Sequence, residues 1–230
     1  MNNGMQGGDS EKVRKYYRNV IEYLPAKSLT CLDLGSGVNF VFEKMLQKIR
    51  GGCIVDCVDR LAINEHIRLP KNVNYIQGSV DNKLVLEQKY DCIFCFEVIE
   101  HIDCTDILLE NCFDNLKDDG LLFISMPNLA SLYSRLELLL GYQPHLLEVS
   151  NKRANYGMGV FGRMNNPSDS VLHHIRGITY RAMKELLEAN EFKIHKVMGC
   201  DKTNLLRVCP RISSTILFVC SKNKRRMEHE

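Results

Sequence analysis

The stretch that decides the fold is CLDLGSGVNF, residues 31–40. It runs from an apolar segment into one acidic residue and two closely spaced glycines: Asp33, Gly35 and Gly37. Glycines at the end of a strand let the chain turn sharply and bring its backbone close to a ligand, because no Cβ is in the way. The stretch therefore predicts a strand, a ligand-binding loop and a helix, and an ordinary strand-to-helix turn is the alternative.

The glycine spacing argues against a dinucleotide. A pyrophosphate-binding fingerprint reads G-x-G-x-x-G, and here Phe40 occupies the last position. Asp33 would repel a phosphate but suits a cofactor that carries an ammonium group and a positive sulfonium. Asp59 ends the next apolar run, where a carboxylate can accept hydrogen bonds from both ribose hydroxyls. Together the two acids favour an adenosyl cofactor without a phosphate, whereas Asp59 alone is typical of a helix N-cap.

Apolar runs alternate with amphipathic stretches along the first half of the chain. The predicted strands cover residues 29–34, 53–59, 73–77, 90–96 and 121–126. Helical patterns lie between them, at residues 40–49 and 106–116, and Gly120 is expected to end the second of these helices. Strands of this length separated by helices predict an α/β fold with a parallel sheet buried on both faces.

The two ends of the chain complete this single predicted domain, which covers residues 1–230. A helix is predicted over residues 9–25, and another follows Thr179, which can cap it, and ends near Asn190. Two more strands are predicted near residues 193–197 and 215–220, followed by a basic, flexible tail at 221–230.

The regular pattern is interrupted after Pro127. A helix is predicted over residues 129–140, and a long stretch rich in glycine, asparagine and charge follows it. Connections longer than about 12–15 residues in a compact domain are commonly lids or binding loops. We therefore predict that residues 128–176, called the cap segment below, form a helical and loop cap over the acceptor side of the site.

Composition limits the possible functions. The 230 residues carry a formal net charge of +2, without the overall basic field that is typical of nucleic-acid binders. Neither a signal peptide nor an apolar run of about 18 residues stands out. We therefore expect a soluble, cytoplasmic protein without a membrane span and without a nucleic-acid partner.

The ten cysteines fall mostly inside apolar runs, where thiols act as small core side chains. Cys92 and Cys95 have the spacing of metal ligands, but no second pair of this spacing accompanies them. On a strand the two thiols would also point to opposite faces. We expect reduced cysteines and no bound metal.

Several segments, in the same order and at similar intervals, resemble those of class I S-adenosylmethionine-dependent methyltransferases. LDLGSG (32–37) looks like the first motif of that family, YDCIFCFEVIEHI (90–102) like its fourth-strand signature and LKDDGLLFISMPN (116–128) like its fifth-strand segment. HHIRGITYRAMKELLEANEF (173–192) resembles a segment of the ubiquinone-biosynthesis-like, type 11 branch. The resemblance implies a Rossmann-like, doubly wound sheet of seven mostly parallel strands with an antiparallel last strand.

The resemblance also implies the cofactor, S-adenosylmethionine, which becomes S-adenosylhomocysteine on methyl transfer. The residues that match cofactor-binding positions are Asp33, Gly35, Ser36, Gly37, Asp59, Arg60, Ser79, Val80, Phe96 and Glu97. Two positions depart from the family pattern. Ser79 stands where the family usually has an acid that contacts adenine, and Asp81 is the alternative for this contact. Asn39 stands where most relatives have glycine, and the loop can keep its shape because asparagine tolerates the left-handed conformation.

The sequence specifies the residues that bind and activate the methyl acceptor less closely than those that match the cofactor site. Removing a proton from an alcohol or phenol most often needs a histidine, and His101 and His174 are the candidate bases. His145, Tyr156 and Arg176 are candidate substrate-binding residues. A structural role is the alternative for each: His101 can cap or pack a loop, and His174 and Arg176 can attach the cap segment to the body.

The FEVIEH sequence (96–101) favours methyl transfer to an oxygen or nitrogen of a small-molecule acceptor by in-line displacement. Two alternatives stay open. Lys152, Arg153, Arg163 and the basic tail would suit an RNA or protein acceptor, and the departures at Ser79 and Asn39 would suit a binding protein of this fold without catalysis.

Overall fold

The computed structural model describes residues 11–201 and 208–223. Its helices are α1 (Glu11–Tyr23), α2 (Val41–Arg50), α3 (Thr105–Asn115), α4 (Leu132–Leu139), α5 (Gly159–Asn165) and α6 (Tyr180–Ala189). Its strands are β1 (Thr30–Leu34), β2 (Ile54–Asp59), β3 (Val73–Gln77), β4 (Tyr90–Phe96), β5 (Leu116–Pro127), β6 (Phe192–Gly199) and β7 (Thr215–Lys222). The predicted strands at 73–77 and 90–96 therefore have the observed bounds.

The strands form one seven-stranded sheet in the order β3-β2-β1-β4-β5-β7-β6. β1 to β5 pair in parallel, and β7 pairs antiparallel with both β5 and β6. The predicted α/β class and the antiparallel last strand are confirmed. The strand order reverses between β1 and β4, and in open sheets of this kind ligands bind at the carboxyl ends of the strands beside such a switch point.

Helices cover both faces of the sheet, and side chains point alternately to the two faces along each buried strand. Leu32 and Cys95 belong to one buried cluster, which α3 and α6 complete. Cys31 and Cys92 belong to the other, which α1 and α2 complete. The predicted opposite orientation of Cys92 and Cys95 is confirmed, and none of the ten cysteines forms a disulfide.

Some boundary predictions are wrong. α3 ends at Asn115, and Gly120 lies inside β5 rather than at the helix end. The pairing of β4 with β5 is irregular here, so the chain bulges before Leu121 and a Cβ at Gly120 would lie 2.7 Å from Leu116 Cδ1. The predicted flexible tail also begins too early, because β7 continues to Lys222; the rest of the tail beyond residue 223 lies outside the described residues.

The cap segment leaves the sheet and returns to it at one place. The backbone N–H of Leu129 donates to the carbonyl of Ile178 at 2.9 Å, so the two ends are joined. The first helix of the segment begins at Leu132, later than predicted, because the Ser131 hydroxyl caps it by accepting from the Ser134 N–H. Thr179 caps α6 in the same way, as predicted.

Among the described residues, none of the helices combines the length and the apolar character that a membrane crossing requires.

Candidate functional site

The glycine loop, residues 35–39, follows β1 at the switch point. Gly35 has φ 77° and Gly37 has φ 66°, both in the left-handed region that favours glycine. A Cβ at Gly35 would lie 2.4 Å from Cγ2 of Val98, so only glycine lets the loops after β1 and β4 approach this closely. A Cβ at Gly37 would meet no described atom within 4 Å, so the loop borders open space.

The expectation that Asn39 takes a left-handed conformation is wrong. The left-handed residue is Phe40, with φ 50° and ψ 44°, immediately before α2. Its ring is 1% exposed and meets the ring of Tyr75 at 5.9 Å between centroids. Burial of this ring offsets the backbone strain, so the turn falls one residue later than the family pattern suggests.

Asp59 joins the ends of β1 and β2. Its Oδ2 accepts from the N–H of Gly37 at 2.8 Å, and its Oδ1 accepts from the N–H of Leu61 at 2.9 Å. The next element along the chain is β3, so Asp59 does not serve as the N-cap of a helix. Its carboxylate is half-buried beside the glycine loop, and its neighbour Arg60 is exposed.

Asp33 lies beneath the glycine loop. It is 3% exposed and close to Glu43 of α2, which is 1% exposed. Burial and the negative charge of Glu43 raise the pKa of Asp33 well above its usual value. In this structure Asp33 and Glu43 therefore form a buried pair of acids, and the predicted contact of Asp33 with a cationic cofactor stays a prediction.

Ser79 and Asp81 have different surroundings after β3. Oδ1 of Asp81 accepts from the N–H groups of Asp103 and Cys104, at 2.9 Å and 3.3 Å, just before α3. Asp81 is thus engaged at the start of that helix. Ser79 is partly exposed and its hydroxyl accepts from the Asp81 N–H at 3.3 Å, which leaves Ser79 as the better placed of the two for an adenine contact. Val80 is buried in the core.

The end of β4 is held in an unusual backbone conformation. Glu97 has φ 55°, and its N–H donates to the Ser125 hydroxyl at 3.2 Å while that hydroxyl donates to Glu97 Oε1 at 3.0 Å. Phe96 packs against Tyr16 and Tyr17 of α1, with ring centroids 5.3 Å and 5.5 Å away. The N-terminal helix therefore covers this edge of the sheet.

Tyr17 is a site residue that sequence reasoning missed. Burial and the nearby charges of Asp33, Glu43 and Glu97 raise the pKa of its phenol. Its hydroxyl therefore stays protonated beside three acids at the carboxyl edge. The adjacent tyrosines of an amphipathic helix were the available signal, but nothing in the sequence shows which strand they reach.

A second group of side chains follows β4. Glu100, His101 and His174, called the Glu–His cluster below, have ligand-type atoms within 4.8 Å of one another. Oε1 of Glu100 lies 3.8 Å from Nε2 of His101 and 4.0 Å from Nε2 of His174. The two imidazole centroids are 4.8 Å apart. The structure thus brings together both candidate bases and a carboxylate to which the sequence analysis gave no role.

Backbone carbonyls fix the orientation of both imidazole rings. Nδ1 of His101 lies 3.0 Å from the His173 carbonyl, and Nδ1 of His174 lies 3.0 Å from the Leu146 carbonyl. A carbonyl only accepts, so each Nδ1 carries the hydrogen and each Nε2 presents a lone pair to the cluster. Burial lowers the pKa of both histidines, which keeps them neutral near pH 7.

The far end of the cap segment is tied to the loop after β4. The Ile175 N–H donates to the Glu100 carbonyl at 3.0 Å, and Nη2 of Arg176 donates to the Asp103 carbonyl at 2.8 Å. Arg176 therefore has the attaching role that was the structural alternative for it. These bonds place His174 opposite His101.

His145 and Tyr156 lie within the cap segment. Nδ1 of His145 is 2.9 Å from Oε2 of Glu137, a fully buried carboxylate of α4. Tyr156 is 49% exposed, and its ring centroid lies 5.4 Å from the guanidinium carbon of Arg153. His145 precedes Leu146, the residue that holds His174, whereas Tyr156 is at the surface of the cap.

Comparison with known proteins agrees with this architecture. A family model described as a methyltransferase domain matches residues 10–197. A ubiquinone biosynthesis O-methyltransferase from Glaesserella parasuis is 33% identical over 108 residues, which cover 42% of this chain and 44% of the relative. The mitochondrial ubiquinone biosynthesis O-methyltransferase from Dictyostelium discoideum is 29% identical over 134 residues, 52% of this chain and 40% of the relative. The chain thus spans less than half the length of these relatives.

Two solved structures share the fold at low sequence identity. The 1,6-didemethyltoxoflavin-N1-methyltransferase of Burkholderia thailandensis, with substrate and S-adenosylhomocysteine bound, has a TM-score of 0.59 at 15% identity and covers 93% of this chain and 79% of its own. The mitomycin 7-O-methyltransferase MmcR has a TM-score of 0.61 at 11% identity, covering 91% and 53%.

Proposed function

We propose, from the premise that this chain belongs to the methyltransferase-domain family and is a class I S-adenosylmethionine-dependent methyltransferase, that its acceptor is a small molecule methylated on oxygen or nitrogen. The observation that carries the proposal is the meeting of two groups at one edge of the sheet. The glycine loop touches the chain after β4 at Val98, and the Glu–His cluster begins two residues later.

The residues at this edge fit S-adenosylmethionine. The backbone beside Gly37 is open, and Asp59 offers carboxylate oxygens next to it for the ribose hydroxyls. Ser79 would contact adenine, and the backbone of Phe96 and Glu97 would contact the methionine part. When bound, the cofactor supplies an electrophilic methyl group on a positively charged sulfur.

The histidines of the cluster suit proton removal from an acceptor hydroxyl. His101 has the more accessible side chain, 23% exposed against 9% for His174, and its Nε2 is free to accept a proton. We assign His101 as the base and His174 as its neighbour in the acceptor site. A positioned base contributes about 10²–10⁴-fold to the rate, and alignment of the reacting groups can contribute about 7–11 kcal/mol.

The cap segment would complete the acceptor site. Arg176 holds its far end against the loop after β4, and His145 directly precedes Leu146, whose carbonyl accepts from Nδ1 of His174. We propose that Arg176 and His145 border the acceptor, with Tyr156 as a contact at the cap surface. Arg153, which would suit an RNA acceptor, is instead paired with Asp169 at 2.6 Å.

A transfer assay tests the proposal. Purified protein is incubated with S-adenosylmethionine labelled on the methyl group and with phenols, catechols, hydroxy acids and amines, and labelled product is measured. We expect label on at least one small-molecule class and its loss in the Asp59→Ala variant. Label on RNA or protein alone would overturn the proposed acceptor class, and S-adenosylmethionine binding without transfer to any acceptor would support a non-catalytic protein.

A further inference from the structure

The loop after β3, residues 78–84 and called the β3 loop below, is anchored to two other parts of the fold. The N–H of Gly78 donates to the carbonyl of Asp59 at 2.9 Å. Further along the loop, Oδ1 of Asp81 accepts from two N–H groups at the start of α3. The loop carries Ser79, the residue assigned to adenine. Whatever fixes the path of this loop therefore also fixes the base end of the proposed cofactor site.

The side chain of Asn111, in α3, is bonded to three backbone groups of the β3 loop. Its Oδ1 accepts from the N–H of Leu84 at 2.8 Å. Its Nδ2 donates to the carbonyl of Asn82 at 2.7 Å and to the carbonyl of Val80 at 3.2 Å. Both hydrogens of the amide are thus used, together with its oxygen. Because all three partners are backbone groups, these bonds fix the path of the chain whatever the loop side chains are.

Asn111 is a polar residue at a position where the core would accept an apolar one. Its side chain is fully buried, and so are the apolar side chains of Leu108 and Cys112 beside it in the same helix. Burying an amide costs free energy unless it is hydrogen-bonded, and asparagine is a poor helix former. The amide therefore does not improve the helix or the core, and its hydrogen bonds go to the β3 loop.

We propose that Asn111 is a positioning residue, which holds residues 79–84 in the conformation that receives the adenine of S-adenosylmethionine. The inference rests on the proposed cofactor site and adds to it a residue that acts through the loop rather than by touching the cofactor. A loop that already has its binding conformation loses less entropy when the ligand binds. If the loop spends only part of its time in that conformation, the apparent affinity falls by the same fraction.

Asn115 offers a matched control in the same helix. It lies one turn beyond Asn111, is 6% exposed, and its Nδ2 donates to the Asn111 carbonyl at 2.9 Å. This bond stays inside α3 and does not reach the β3 loop. If Asn111 served only the stability of the helix, alanine at either position should therefore have the same effect on cofactor affinity.

Calorimetric titration with S-adenosylhomocysteine compares the wild type, Asn111→Ala and Asn115→Ala at a temperature at which circular dichroism shows all three to be folded. We expect Asn111→Ala to bind about tenfold more weakly or worse, since its loop would spend a tenth of the time or less in the binding conformation. Asn115→Ala should bind within about twofold of the wild type. Asn111→Asp keeps an acceptor for Leu84 but turns an oxygen toward two carbonyls, so it should weaken binding as well.

Amide hydrogen exchange separates loop positioning from overall stability. In Asn111→Ala we expect faster exchange at residues 79–84 with β1 and β4 unchanged, and slower exchange in the loop once S-adenosylhomocysteine is bound. Equal affinities of Asn111→Ala and Asn115→Ala, or faster exchange throughout the sheet, would overturn the role of Asn111 while leaving the cofactor site in place. Failure of the wild type to bind S-adenosylhomocysteine would instead overturn the proposed cofactor site, and this inference with it.

Discussion

The glycine loop and the Glu–His cluster occupy the same edge of the sheet but are built differently. The glycine loop depends on its own backbone conformation and on the ends of neighbouring strands, joined by the bond from Gly37 to Asp59. The cluster depends on the return of a long excursion, because His174 and the carbonyl that orients it come from the cap segment. The glycine loop should therefore lose its conformation when the sheet edge is strained, and the Glu–His cluster should come apart when the cap segment opens.

The largest effect is expected from Gly35→Ala. Its Cβ would lie 2.4 Å from Val98 at a φ of 77°. Backbone strain of about 1–3 kcal/mol and overpacking of about 1–3 kcal/mol add to about 4 kcal/mol of lost stability. Denaturant unfolding of the wild type and the variant measures this loss of stability.

Two further variants separate the two causes. Gly141→Ala has the same φ of 77° in the cap segment but meets no described atom within 4 Å, so it should show the strain alone. Val98→Ala combined with Gly35→Ala should recover part of the loss. Equal destabilisation by Gly35→Ala and Gly141→Ala would show that the close approach of the two loops does not matter.

Opening the cap should affect the other region. Glu137 is fully buried and one of its carboxylate oxygens lies 2.9 Å from Nδ1 of His145, so Glu137→Ala should cost about 3 kcal/mol, the scale of leaving a buried polar group without its partner. We expect faster amide exchange in α4 and at residues 142–147, with β1 and β4 unchanged. Glu185→Ala, at an exposed position of α6, is the control. Faster exchange throughout the sheet would mean that the cap does not open separately.

Removing the His101 imidazole should slow turnover without weakening the binding of the cofactor product. His101→Gln should lower kcat by about 100-fold, the scale of removing a positioned acid or base, and should leave S-adenosylhomocysteine affinity within about twofold. His66→Gln, in an exposed loop, should change neither. If His101→Gln weakens the cofactor analogue as much as it slows turnover, the two regions are not independent.

The smallest effect is a pH dependence. Burial lowers the pKa of His101 and His174 below 6.5, so both are neutral above that value and gain protons as the pH falls through the lowered pKa. We expect kcat/KM to be level between pH 8 and about 6.5 and to fall by about tenfold per unit below the lowered pKa. Because the unfolded chain takes up protons first, stability should also decrease on the acid side. A rate that rises on acidification would contradict the assignment.

The sequence predicted what is encoded locally. Apolar runs predicted β1, β4 and β7 best, because a strand buried on both faces must be apolar along its length, whereas β3 and β6 are only partly buried. The glycine loop was readable for a similar reason, since a positive φ and a close approach leave few residue types besides glycine. Asn39 was misread because the position of the turn depends on Phe40, whose ring is buried against β3.

The Glu–His cluster could be predicted only in part. His101 and His174 were candidates by residue type, but their approach depends on the hydrogen bonds that tie Ile175 and Arg176 to the loop after β4. Glu100 received no role, because a glutamate in a sequence does not show whether it will be buried without a partner. A site that forms only when a long segment packs back onto the sheet leaves no local sequence pattern from which it can be predicted.

The most direct test of the account is calorimetric titration of S-adenosylhomocysteine into the wild-type, Asp59→Ala and His174→Ala proteins. We predict one site in the wild type and a loss of about 1.5–3 kcal/mol in Asp59→Ala, the scale of hydrogen bonds to a charged group. Affinity should be unchanged in His174→Ala. Unchanged affinity in Asp59→Ala, or an equal loss in His174→Ala, would contradict the placement of the cofactor at the glycine loop and of the acceptor chemistry at the Glu–His cluster.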